Sequence, residues 1–407
     1  MISPRKIAKA FLFHARGARI RALAAPRRVG WLRRRLRLPR NETFDPFSGE
    51  ILRGVTVTRL DDASTWHRPL PAIFGRDSAA LAFFSARTVE NIAPSCVAEF
   101  ENGIAWGHPT GGVFTGDGRF VPAFTHDPCG AARHTVWTRL HLPPARHFPG
   151  RILYLVTPEA TDNFHHWMID LLPRLGLVLR AGYRLEDFDR VIVNHVNRRF
   201  QRATLEHLGI PAEKLLAAHD SLWIRADSLV VPSLKASNQT FPAPDAAFLR
   251  DAFLPSDTAT PFRRIFLSRN DAGFRRLANE AGLVPLLRAH GFEIITPGKL
   301  DLAAQARLFA EAAIIAGPAG AAFANLVFAT PGTRVIEITP PGWLSAFHWM
   351  ISTRIGLDHT LLLGEGRVMR DVPDVADRER DIVVDPAKFS ALLESLPAPL
   401  QPYRQPA

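Results

Sequence analysis

Residues 314–338 read IIAGPAGAAFANLVFATPGTRVIEI: an apolar strand (Ile314–Ala316), a turn of small residues about Gly317 and Gly320, a helix over Ala321–Phe328, and a second strand at Arg334–Ile338. Two apolar strands joined through a helix form a parallel pair with the helix on its face. The pattern extends outward. Before it the sequence predicts a strand at Arg264–Ser268, a helix at Asn279–His290, a strand at Glu293–Thr296 and a helix at Leu302–Ala313. Earlier still come a strand at Ile152–Val156, a helix over about Asn163–Ala181, a strand at Arg190–Asn194, a helix at Arg199–Leu208 and a strand-like run at Leu229–Leu234. Between the two series, Phe241–Pro261 is rich in Pro, Ala and Asp, the composition of a domain boundary. The expected fold class is α/β, with two Rossmann-like domains facing a cleft: a basic arm at 1–40, a first domain at 41–250 and a second at 251–407. Residues 41–150 read as short strands and loops, such as Ile51–Val57 and Cys96–Phe100, and no repeat of fixed period runs through the chain.

With 407 residues, 47% of them hydrophobic and 22% charged, the chain is long enough for two cores of ordinary size. Its formal charge is +11, from 50 Lys and Arg against 39 Asp and Glu. Thirteen of the basic residues and none of the acidic ones fall within residues 1–40, so the rest of the chain, with 37 basic against 39 acidic, is nearly neutral. A folded domain that grips nucleic acid spreads Lys and Arg over its surface, so no nucleic-acid partner is expected. The arm reads either as solvated chain or as a basic helix on an anionic membrane, with Ile7, Ala10, Phe11 and Ala18 at helical spacing. No apolar run approaches the roughly 18 residues that span a bilayer, and Ala10–Phe13 is too short for the core of a signal peptide. The expected location is cytoplasmic, peripheral on the inner membrane face if the arm binds lipid. Two cysteines, Cys96 and Cys129, make no disulfide framework and read as reduced thiols.

Ligands of parallel sheets bind beyond the carboxyl ends of strands, where three unusual segments fall. In Asn163-Phe-His-His166-Trp-Met-Ile-Asp170, His166 and Asp170 share one helix face, and Asn163 or Asp162 suits the N-cap. The pair reads either as a general base held beside an imidazole or as a solvated helix-surface pair. In Gly317-Pro-Ala-Gly320-Ala321, small residues before a helix admit a phosphate to the backbone, and Glu337 at the end of the next strand suits a ribose. That arrangement is close to a dinucleotide site, which keeps an NAD-dependent oxidoreductase open, but the complete G-x-G-x-x-G is absent. Arg269 follows the strand Arg264–Ser268, where a guanidinium can hold a diphosphate. Asn279-Glu280 reads as a helix cap, and Asp187-Phe-Asp189 precedes its strand and reads as loop. His126, Cys129 and His134 fall short of a zinc pattern.

Taken in order, Asn163-x-x-His166-Trp167-x-x-Asp170-x-Leu172-Pro173-Arg174, Leu267-Ser268-Arg269, Asn279-Glu280, Gly317-Pro318-x-Gly320-Ala321-x-x-x-Asn325 and Pro331-Gly332-Thr333-x-Val335-x-Glu337 resemble glycosyltransferase family 61 over about Arg151–Pro341. The resemblance implies a GT-B type fold, an inverting mechanism without cofactor or required metal, a nucleotide-sugar donor, and a glycan or lipid-linked acceptor. Similar bacterial proteins are associated with capsular and other surface polysaccharides. By the same resemblance Asp170 is the general base, with His166 orienting it or touching the acceptor and Asn163 in support. Arg269, Gly317, Gly320, Ala321, Asn325 and Glu337 bind the donor. Many relatives carry His where this chain has Ala319, which removes a side-chain contact to the phosphates and leaves a catalytically weak nucleotide-binding scaffold as the alternative.

Overall fold

A computed structural model describes residues 15, 17–22, 31, 35, 40, 42–75, 77–125, 127, 130–139, 141–235, 240–257, 259–366, 368 and 375–398. Most of the basic arm, together with His126 and Cys129, lies outside the described residues. The chain forms an α/β structure of two compact units. One comprises residues 1–63 and 93–236, the other 64–92 and 237–407.

The second unit is built on six parallel strands in the order Phe292–Ile295, Arg263–Leu267, Ala312–Pro318, Arg334–Thr339, Asp358–Leu363, Ala72–Phe74. Ala312–Pro318 and Arg334–Thr339 are buried along almost their whole length, as the near-continuous apolar text of an interior parallel strand requires. A Cβ on Gly317 would stand 2.8 Å from the Leu267 carbonyl oxygen, so only glycine lets these two neighbouring strands approach. The helices Glu280–Ala289 and Leu302–Ala310 connect the strands, and Asp301 caps the second by accepting from Ala304 N at 2.8 Å. The hydrophobic core runs from Phe266, Leu283 and Leu287 through Ile314 and Ile336 to Leu362 and Phe389.

Residues 64–92, expected within the first domain, belong to this second unit. They supply the edge strand Ala72–Phe74, the antiparallel pair Ser64–His67 with Val89–Ile92, and the helix Ser78–Ser85. That helix packs Phe84 edge-on against Trp349 at 5.2 Å. Phe241–Pro261, expected as a linker, contains the helix Ala243–Phe253. Ala246, Leu249 and Phe253 recur at helical spacing and are buried, and this apolar face outweighs the Pro and Asp content.

The sheet of the first unit is mixed, which departs from a Rossmann-like pattern. Trp223–Pro232, Arg146–Tyr154, Arg190–Val193 and Leu215–Ala217 are parallel, while Ser95–Glu101 and Val55–Asp61 pair antiparallel on one side. Parallel neighbours in one sheet need a long, usually helical crossover, and among the described residues the only helical pieces between Ser95–Glu101 and Arg146–Tyr154 are short 3-10 turns. Its core gathers Phe44, Phe100, Phe124, Tyr154, Ile224 and Leu229. Cys96 is buried there as a free thiol, pushed up to about 12 by burial.

The predicted helix from Asn163 exists in three pieces: Phe164–His166, a π-turn Trp167–Leu171, and Pro173–Arg180. The cause is Pro173, which has no N–H for the carbonyl four residues back and whose ring crowds it; Leu172 N donates five residues back instead, to Trp167 O at 3.0 Å. Arg174 then points inward, 2% exposed. Its Nη2 donates to Pro232 O (2.7 Å) and Tyr154 O (3.4 Å), and its Nη1 to Thr157 Oγ1 (3.0 Å) and Val156 O (3.2 Å). One guanidinium thereby ties the carboxyl ends of two parallel strands to the helix, and burial lowers its pKa to about 9. Replacing Arg174 with Leu leaves buried carbonyls without donors, at ~1–3 kcal/mol for each unsatisfied group. A loss of about 3 kcal/mol or more is expected in urea unfolding, and an unchanged midpoint would mean that other donors replace the guanidinium.

Candidate functional site

In the first unit the loop after the strand Arg146–Tyr154 is pinned before the helix begins. Asn194 accepts from Thr157 N and donates to Thr157 O, both at 2.9 Å, and Gln201 Nε2 donates to Thr161 O at 2.7 Å. Asn163 then caps the helix, its side chain accepting from His165 N at 2.9 Å. Trp167 anchors the following turn by donating from Nε1 to Thr204 Oγ1 at 2.9 Å.

His166 and Asp170 meet across this turn, with His166 Nδ1 2.7 Å from Asp170 Oδ2. They are 5% and 8% exposed, so the pair is not the solvated surface feature that spacing alone allowed. Two further residues complete the site. Glu159 Oε2 lies 2.8 Å from His166 Nε2, on a backbone with φ of 65°. Lys235 donates from Nζ to Ile169 O, the carbonyl that Pro173 cannot serve, and stands 3.4 Å from Asp170 Oδ1. The result is a row of alternating charge: Glu159, His166, Asp170, Lys235. Burial alone lowers the proton affinity of His166, but Asp170 and Glu159 overcome it and raise the pKa to about 9. Burial likewise works to raise Asp170, and the Lys235 ammonium and the His166 hydrogen bond reverse it, leaving its pKa below the ordinary carboxylate value.

In the second unit Arg269 emerges from the strand Arg263–Leu267 and crosses Gly320, where a Cβ would lie 1.8 Å from Nη1. Gly320 therefore leaves room for the guanidinium, and Ala321 opens the 3-10 helix Ala321–Phe328 beside it. Arg269 donates from Nη2 to Phe274 O (3.1 Å) and from Nε to Arg275 O (3.3 Å), which ties the loop that follows. Asn279-Glu280, expected as a helix cap, makes no side-chain cap hydrogen bond: Asn279 Nδ2 donates to Val384 O at 2.7 Å, and Glu280 Oε1 holds the root of the loop by accepting from Ser268 Oγ at 2.6 Å and from Asn270 Nδ2 at 2.7 Å.

Three expected donor ligands are engaged elsewhere. Gly317 serves strand packing. Asn325, fully buried, donates from Nδ2 to Gln305 Oε1 at 2.7 Å and joins two helices. Glu337 is 1% exposed rather than open to a ribose, with Oε1 2.7 Å from His348 Nδ1 and Oε2 3.2 Å from His359 Nε2. The helix Phe347–Ile355 brings His348 over this strand, and no spacing in the sequence announces it. Glu159, Lys235 and Arg275 were also missed. Lys235 had a signal, as one of six lysines in an arginine-rich chain. Among the described residues no group of three or more His, Cys, Asp or Glu is placed to hold a metal ion, and no helix is long and apolar enough to cross a membrane.

Burial works to raise the pKa of Glu337, but His348 and His359 bring it from 4.5 to about 2. A carboxylate lowered on folding stabilises the protein above its unfolded value and ceases to as pH falls through its folded value. The Glu337 contribution is therefore complete above about pH 4.5 and disappears towards about pH 2. In Glu337→Gln the stability difference from wild type should shrink across this window in urea unfolding, and curves that stay parallel from pH 5 to 2 would exclude the linkage.

No curated protein matches the chain. Residues 164–336, which include His166, Asp170, Arg269, Glu280, Gly320 and Asn325, match the model of the family Glycosyltransferase 61, and this match supports a glycosyltransferase of family 61.

Proposed function

We propose that this protein is an inverting, metal-independent glycosyltransferase of the GT-B type. It transfers a sugar from a nucleotide-sugar donor to a glycan or lipid-linked acceptor of bacterial surface polysaccharide, such as capsule. The observation that carries the proposal is the buried His166–Asp170 pair inside the span similar to family 61.

In an inverting transfer the acceptor oxygen attacks the anomeric carbon, its proton goes to a base, and the nucleoside diphosphate departs with the electrons of the broken bond. Both oxygens of Asp170 face partners, His166 and Lys235, which lowers its basicity. The geometry thus favours an exchange of the roles drawn from the resemblance: His166 Nε2 takes the proton, and Asp170 orients the ring and balances the imidazolium. Glu159, well exposed, occupies Nε2 until the acceptor hydroxyl replaces it. Arg269 beside Gly320 receives the departing diphosphate in the donor half of the reaction.

The test is a pH series of transfer rates with a panel of nucleotide sugars. His166 must lose its proton to act, so the rate should climb with pH towards about 9. Glu159→Gln removes a carboxylate that favours the imidazolium, so its rising limb should move to lower pH with transfer retained. Asp170→Asn should cost about a hundredfold or more. Abolition of transfer by Glu159→Gln would make Glu159 the base, and full activity of Asp170→Asn would remove the pair from the mechanism. Absence of donor turnover by wild type, with nucleotide still bound, would favour the scaffold that Ala319 suggests.

The thirteen basic residues of the arm support a peripheral location on the anionic inner membrane face, at about 1 kcal/mol for each basic residue near the lipid. Deleting residues 1–40 should release the protein from phosphatidylglycerol vesicles at physiological salt without changing donor affinity. Complete cosedimentation of the truncated protein would assign the anchor elsewhere.

A further inference from the structure

The loop between the strand Arg263–Leu267 and the helix Glu280–Ala289 carries a second guanidinium beside Arg269. Arg269 uses Nε and one Nη2 hydrogen to close the loop on the carbonyls of Arg275 and Phe274, so three N–H groups on the single edge formed by Nη1 and Nη2 remain for a ligand over Gly320. Arg275 makes no side-chain hydrogen bond among the described residues, and its Nε is buried without a partner. The two guanidinium carbons lie 5.9 Å (Arg269) and 5.2 Å (Arg275) from the centroid of the same Phe274 ring.

Three features set this pair apart from an ordinary surface cluster. Among the described residues, no carboxylate lies within ion-pair distance of either guanidinium. Asp271 acts on Arg269 only from beyond that distance, as do Glu337 and Glu379 on Arg275, which Arg378 also faces. The neighbouring Arg276 is paired, with Nη2 2.7 Å from Asp381 Oδ2, so the loop has acids available and places none at Arg275. Finally, Arg275 holds a backbone φ of 54°, a region that long side chains rarely occupy. Burial and the Arg269 charge both work against the protonated form and bring its pKa down to about 10, still charged at neutral pH. Two half-buried cations held together on a strained backbone without a counter-charge constitute an anion site.

We infer that Arg275 is a second phosphate-binding residue, forming with Arg269 a two-guanidinium clamp beside Gly320 for the diphosphate of the donor. A pair of forks spans two phosphoryl groups, which the single free edge of Arg269 does not, and it compensates for the side chain that Ala319 lacks. The identity of the anion rests on the nucleotide-sugar reading; the clamp itself rests on geometry.

The probe is inorganic pyrophosphate, titrated calorimetrically into the full chain. Arg275→Gly and Arg275→Asn both tolerate a positive φ, so each should unfold no earlier than wild type while binding pyrophosphate at least about tenfold more weakly, the scale of one lost charged hydrogen bond. Arg276→Met should bind as wild type does. Wild-type affinity in the folded Arg275 variants, or an equal loss in Arg276→Met, would overturn the inference, as would failure of wild type to bind pyrophosphate at millimolar concentration. Transfer assays on the same samples separate the two readings. Transfer by a wild type whose Arg275 variants keep pyrophosphate affinity refutes the clamp alone, and a working clamp without transfer refutes the enzyme alone.

Discussion

One guanidinium ties the strand ends of the first unit to the helix that carries His166 and Asp170. Among the described residues no acid pairs with Arg174, which donates instead to the carbonyls of Tyr154, Val156 and Pro232 and to the Thr157 hydroxyl. Carbonyls at the ends of adjacent parallel strands all point negative charge towards the same space, and a planar fork of five N–H groups serves several of them together. Because Arg174 sits one residue beyond Pro173, the same segment that closes the strand ends also forces the π-turn bearing Asp170. Stability and site geometry therefore share a cause.

The proline's effect propagates further. A carbonyl without its helical donor must find another, and Ile169 finds Lys235, whose ammonium then stands near Asp170. Lys235 keeps Asp170 ionised despite burial, and ionised Asp170 keeps the His166 ring oriented and charged. A row of four charged groups is stable in such surroundings because each charge meets its opposite; deletion of an interior member leaves two neighbours exposed to repulsion or desolvation. The second unit shows the opposite economy at Arg269 and Arg275, two like charges with no acid within ion-pair distance among the described residues. The contrast is what the proposed roles require, proton transfer at the first site and anion binding at the second.

Much of this was legible in the residues themselves. The apolar strands, their helices and the small-residue turn at Gly317–Ala321 follow from periodicity, and so did the meeting of His166 with Asp170, which needs only a helical turn. Residues four apart on a helix meet whatever surrounds them. Glu337 was misread because its position at a strand end is local information, whereas its partners His348 and His359 arrive from a later helix and strand. Phe241–Pro261 was misread because composition outweighed the spacing of Ala246, Leu249 and Phe253.

The sequence by itself determined the α/β alternation, the Asn163 cap, the loop that bears Arg269 and the local face shared by His166 and Asp170, since each depends on backbone preference or on neighbours a few residues away. Tertiary structure alone decided which of these groups are sealed and which are charged. It brought Lys235 65 residues along the chain to Asp170, placed residues 64–92 in the second unit, and closed Glu337 between two histidines. Burial and ionisation depend on the sum of all groups within a few ångströms, and that sum exists only once the chain has folded.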